Sequence, residues 1–138
     1  MQQNGRFKKG LRLLAALKIK ETDGEPIEVE NNLYIGSIGA AINNDRLDGI
    51  GITHILSLCG DIGYKKLGHV EYKYYNVSDK PRKMSELSSI LQECLTYVDN
   101  VVTSSNNNKC KKILIHCMMG KSRSASIVIA YLMHKKKM

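Results

Sequence analysis

The chain has 138 residues, enough for one domain with a real core, and its hydrophobic and charged shares (43% and 25%) are those of an ordinary globular protein. No apolar run approaches the roughly 20 residues of a membrane-spanning helix. A formal net charge of +8 points to an anionic partner, but basic residues are not interleaved with aromatics and no zinc-finger spacing occurs, so nucleic acid is not expected.

Residues 1–20 hold six Lys or Arg and no acid. Leu11, Leu13, Leu14, Leu17 and Ile19 recur with helical spacing, and Glu21-Thr22-Asp23-Gly24-Glu25-Pro26 ends the run. Residues 1–26 therefore read as a basic amphipathic segment ahead of a domain spanning 27–138. Amphipathic helices usually pack on their own domain with a solvated polar face. The sharper readings for residues 1–20 are a membrane-surface or calmodulin contact, or a targeting presequence.

Beyond that segment, "NNLYIGS" predicts a short strand over 31–37, and "GAAINNDRL" a helix over 39–47. "GITHILSLCG" predicts a buried strand ending near Cys59, and "VEYKYYNVSD" alternates with period two as a further strand. "SELSSILQECLTYVDNVV" predicts a helix whose core face carries Leu87, Ile90, Leu91, Cys94, Leu95 and Val98. After the polar loop "TSSNNNK", "KKILIHC" is a continuous apolar strand, and "SASIVIAYLM" a helix apolar on most sides and so expected to be central. Strands alternating with helices predict an α/β fold, a central mostly parallel sheet of about four to five strands flanked by helices.

Four cysteines occur, Cys59, Cys94, Cys110 and Cys117, none in a CxxC pair, so a structural zinc site is not expected. With no signal peptide read ahead of them, the expectation is an intracellular, reducing setting, cytoplasm and/or nucleus. Cys94 reads as packing and Cys110 as a loop-edge residue.

Cys117 differs, because a buried strand ends there and a helix is expected to begin at Arg123 or Ser124. The residues between, Met118, Met119, Gly120, Lys121 and Ser122, must curl, and their backbone N–H groups converge into an anion-binding nest beside the helix N-terminus. Arg123 can grip two oxygens of a phosphoryl group in bidentate fashion. The same positive field favours the thiolate of a cysteine at this place. Ser124 can donate a hydrogen bond to that sulfur and stabilise it as a leaving group. Gly120 lets the backbone come close to the anion.

His116-Cys117-Met118-Met119-Gly120-Lys121-Ser122-Arg123-Ser124 matches the HCxxGxxR[ST] signature and resembles the cysteine-dependent dual-specificity phosphatase family. "LYIGSIGAAINNDRLDGIGITHIL" and "RSASIVIAYLM" extend that resemblance across about residues 30–134. The resemblance implies a two-step reaction through a phosphocysteine on Cys117, with Asp79 of "YYNVSDKPRKM" as the general acid. It also implies that His116 orders the cysteine loop. No metal ligands cluster in the sequence and no cofactor is expected, because backbone donors and Arg123 supply the charge stabilisation. Asp61 is the rival acid, read otherwise as a surface turn residue. Cys59 reads first as a small buried hydrophobe; by resemblance to some relatives, it is otherwise a redox partner that traps oxidised Cys117 as a disulfide.

The implied substrate is a phosphoprotein, a kinase among the candidates, dephosphorylated on tyrosine and serine/threonine. Lys121 keeps a phosphoinositide substrate open, since lipid phosphatases carry a lysine there, although they also carry one where this chain has Met118. A sulfurtransferase would use a loop cysteine too, but Arg123-Ser124 and Asp79 suit phosphoryl transfer better. The family also has about two further helices after "YLMHKKKM". Their lack is expected to leave an exposed apolar patch, to reduce stability, to favour oligomers, or to leave only an inactive phosphate-binding module.

Overall fold

The computed structural model describes the backbone of residues 2–61, 63–77, 84–105, 110–118 and 122–136, and their side chains except at 2–9, 84, 87, 122, 123 and 136. In chain order the elements are α1 (Gln2–Thr22), β1 (Ile27–Glu30), β2 (Leu33–Gly36), α2 (Ile38–Ala41), α3 (Asn44–Ile50), β3 (His54–Ser57), β4 (Glu71–Tyr74), α4 (Met84–Ser104), β5 (Ile113–His116) and α5 (Ser122–Lys136). The five strands form one sheet in the order β1-β2-β5-β3-β4. Only β1 runs antiparallel to its neighbour; the pairs β2–β5, β3–β5 and β3–β4 are parallel.

Both faces of the sheet are covered, which explains why its central strands read as unbroken apolar runs. Along β5, Leu114 points into a cluster with Ala16, Tyr34, Ile38, Leu47 and Ile55, on the α1–α3 side. Ile113 and Ile115 point the other way, into a cluster with Leu33, Leu56, Cys94, Val98, Val128 and Tyr131 beneath α4 and α5. The period of two thus divides one strand between two cores.

Four local expectations change. Ile27–Glu30 forms an edge strand that no reading assigned. Its burial is poor on both faces, Ile27 being 44% and Val29 37% exposed, so alternation there carries no core signal. The hairpin to β2 turns at Asn32, whose φ of 67° suits asparagine better than a branched residue.

"GAAINNDRL" is two helices rather than one. α2 ends at Ala41, and Asn43 spends its side-chain amide on the Gly24 carbonyl (2.7 Å) instead of capping α3. In α4, Cys94 and Val98 are fully buried while Leu91 lies at the margin, 36% exposed. Nor is α5 a central helix. Ile127, Val128 and Tyr131 are buried against the sheet and α4, but Ile129 (57%) and Met133 (46%) are exposed.

α1 lies against α2, with Ala16 fully buried and Leu13 and Ile19 packed beside it, while Leu11, Leu14 and Leu17 face outward. Among the described residues, no helix is long and apolar enough to cross a membrane.

Candidate active site

The parallel strands β2, β5 and β3 all deliver their C-terminal ends to one edge of the sheet, the end at which α/β folds place their ligands. Cys117 is the first residue past β5, and Ser57 and His116 are register partners just before that edge. The carbonyl of His116 accepts from the Leu58 N–H (2.9 Å), and Ile38 N–H donates to the Met118 carbonyl (3.2 Å). The start of the cysteine loop is thereby tied to both neighbouring chain segments.

Cys117 is buried, 1% exposed, and its Sγ lies 3.9 Å from the Ser124 Oγ, itself fully buried. The helix begins at Ser122, one residue before the earliest predicted start, so it is the first turn of α5 that carries Ser124 toward the sulfur. Of the remaining loop residues, Met119, Gly120 and Lys121 lie outside the described residues. Ser122 and Arg123 are placed in the first turn of α5 by backbone alone.

His116 is fully buried in the wall behind the cysteine. Its Nδ1 lies 3.3 Å from the Cys117 carbonyl. A carbonyl can only accept, so Nδ1 carries the hydrogen of a neutral imidazole. Burial, opposed by that carbonyl, holds the imidazole pKa down to about 4. Its Nε2 has no partner among the described residues, and the Tyr64 ring stands edge-on 6.5 Å away. Sequence reasoning missed Tyr64, because "DIGYKKLG" has no periodicity to place it.

Cys59, at the same sheet end on the β3 side, bridges to Asn76 and has its Sγ 3.5 Å from the Ser57 Oγ. Burial pushes its thiol pKa up; the Ser57 hydroxyl offsets part of this and the neighbouring Cys117 sulfur adds to it. No disulfide joins the four cysteines; Cys94 is buried and Cys110 exposed.

Asp61 is exposed and its carboxylate accepts from the Gly63 N–H (2.9 Å) and from Lys66 Nζ (2.8 Å), holding a turn. Asp79 lies outside the described residues. Two positions before it, Val77 donates its N–H to the Leu58 carbonyl (2.9 Å) at the site end of the sheet. Among the described residues, no group of three or more His, Cys, Asp or Glu is arranged to hold a metal.

With this geometry in place, comparison with known proteins is specific. Residues 33–138 match the family model "Dual specificity phosphatase, catalytic domain". Dual specificity protein phosphatase 4 of Gallus gallus is 39% identical over 114 residues, covering 83% of this chain and 28% of the relative. Dual specificity protein phosphatase 1B of Arabidopsis thaliana is 34% identical over 121 residues, covering 88% of this chain and 68% of the relative. The crystal structure of DUSP15 superposes with a TM-score of 0.68 at 26% identity, over 83% of this chain and 69% of that one. The chain thus spans between about a quarter and two thirds of the length of these proteins. It belongs to the dual specificity phosphatase catalytic-domain family.

Proposed function

We propose that this protein is a metal-independent phosphatase acting on phosphotyrosine and phosphoserine/threonine of a phosphoprotein substrate, a kinase being the kind we would test first. The observation that carries the reading is Cys117, buried at the end of β5 with the Ser124 hydroxyl facing its sulfur, in a chain of this family.

In the reaction so assigned, Cys117 Sγ attacks phosphorus while the P–O bond to the substrate breaks. Asp79 gives its proton to the leaving oxygen, because an alkoxide or phenolate leaves poorly. Water then attacks the phosphocysteine and returns a proton to Asp79. The S–P bond breaks, releasing inorganic phosphate and the thiolate, which Ser124 stabilises. Backbone N–H groups of residues 118–122 and the Arg123 guanidinium would hold the phosphoryl oxygens, supplying the charge stabilisation that a metal supplies elsewhere. His116 holds the loop through its Nδ1–H bond to the Cys117 carbonyl. Cysteines without disulfides suit a reducing compartment, the cytoplasm or nucleus.

Hydrolysis of p-nitrophenyl phosphate in excess EDTA, by wild type and Cys117→Ser, tests the reading. Activity that survives EDTA and disappears in Cys117→Ser is expected; EDTA-sensitive activity, or activity retained in Cys117→Ser, overturns it. Asp79→Asn should slow alkyl phosphates more than p-nitrophenyl phosphate, whose leaving group needs less protonation. Running a phosphopeptide beside a phosphoinositide decides between protein and lipid substrates.

A further inference from the structure

The turn between β2 and α2 is held from two sides. On one side, the Ser37 hydroxyl donates to the Asp23 carbonyl just past the end of α1 (3.0 Å) and accepts from the Gly39 N–H (3.2 Å). Asn43 adds a bond to the Gly24 carbonyl (2.7 Å). Gly39 lets the two backbones meet. A Cβ there would lie 2.5 Å from the Asp23 oxygen and 2.8 Å from the Lys20 Cα and N, so no other residue fits without moving α1.

On the other side, Ile38, between these two residues, gives its N–H to the carbonyl of Met118, the residue following Cys117. The Met118 side chain packs into the same cluster as Ala16, Leu13 and Ile19 of α1.

We infer that docked α1 is part of the catalytic scaffold: through Ser37, Ile38 and Gly39 it fixes the Met118 peptide and so positions the loop that presents Cys117. Releasing α1 would free that peptide to shift, and misplacements of about 1 Å can cost on the order of 100-fold in rate. The residues of the turn and of α1 are positioning residues and touch no substrate. This rests on Cys117 being the reactive group, so the test reads Cys117 directly as well as turnover.

The variants are Ala16→Glu, Gly39→Ala and the pair Ser37→Ala and Ser37→Thr, with Leu14→Glu on the exposed face as control. Amide hydrogen exchange of residues 13–20 reports docking, and exchange of α4 and β5 reports the folded core. Iodoacetamide labelling of Cys117, read on the peptide 113–121, reports its presentation, and p-nitrophenyl phosphate gives kcat and KM.

Ala16→Glu and Gly39→Ala should raise exchange in α1 and, together with it, lower Cys117 labelling and kcat about tenfold or more, while the core stays protected and KM changes little. Ser37→Ala, which removes both hydroxyl bonds, should lower Cys117 labelling and kcat in the same way, Ser37→Thr should retain both, and Leu14→Glu should change nothing. An α1 set free with Cys117 labelling unchanged overturns the inference. So does slower labelling with α1 still protected. Absence of phosphatase activity in wild type would sink the functional reading but leave the coupling of α1 to Cys117 labelling measurable.

Discussion

His116 links stability to pH in a way that can be worked out in advance. Its imidazole is fully buried and burial holds its pKa near 4, against 6.5 for an ordinary histidine. Between those values the unfolded chain binds a proton that the folded protein does not, so acid favours unfolding. The stabilisation is complete above about pH 6.5, falls as pH drops toward 4, and changes no further once both states are protonated. The full gap corresponds to about 3 kcal/mol, of which about 2 kcal/mol is already lost at pH 5.

Urea unfolding at pH 7.5 and pH 5 reads this directly if it is two-state. His54 is also depressed by burial and contributes in the same direction, so the comparison is with His116→Asn measured at both pH values. With a slope of about 2 kcal/mol per molar urea, the wild-type midpoint should fall about 1 M further than that of the variant. Equal falls would mean that His116 titrates in the folded protein much as it does in the unfolded chain, and that its burial does not link stability to pH.

Other consequences are as concrete. Ser124→Ala removes the hydroxyl facing Cys117 and should lower kcat by about 10- to 100-fold, the worth of one hydrogen bond to a charged group, with a burst of p-nitrophenol because the second step suffers most. A linear time course at the wild-type rate would dismiss that role. Leu56→Ala, fully buried on the central strand β3, should cost about 2–5 kcal/mol and lower the Tm by roughly 10 °C, checked by calorimetry. A redox role for Cys59 requires that substoichiometric peroxide convert Cys117 to a sulfenic acid that condenses with the Cys59 thiol, releasing water and leaving a disulfide. Peptide mapping that finds oxidised Cys117 with no link to Cys59 leaves Cys59 as packing alone.

The parts of this fold visible from sequence are those whose residues have a single environment. "KKILIHC" reads as a buried strand because both its faces meet a core, and the α4 pattern because Cys94 and Val98 recur on one buried side. Family membership is legible because the signature around Cys117 sets particular residues at fixed spacing. Patterns fail where burial is weak or divided. β1 leaves Ile27 and Val29 exposed, and α5 spends Ile129 and Met133 on solvent, so apolar content alone placed it too deep.

Long-range polar contacts leave no sequence trace either. Asn43 sits at the break between α2 and α3 and holds the Gly24 carbonyl, and Ser37 and Gly39 look like ordinary turn residues until α1 is seen against them. Tyr64 beside His116 belongs to the same class, a contact made by the tertiary fold out of a segment without pattern.

If Cys117 carries the phosphoryl group between the two steps, the phosphocysteine can be trapped. Acid quench of the enzyme turning over a ³²P-labelled phosphopeptide, followed by peptide mapping, should place the label on Cys117 in the peptide 113–121, with more of it in Ser124→Ala. Turnover with the label on another residue, or with no labelled enzyme in either protein, would rule out Cys117 as the nucleophile.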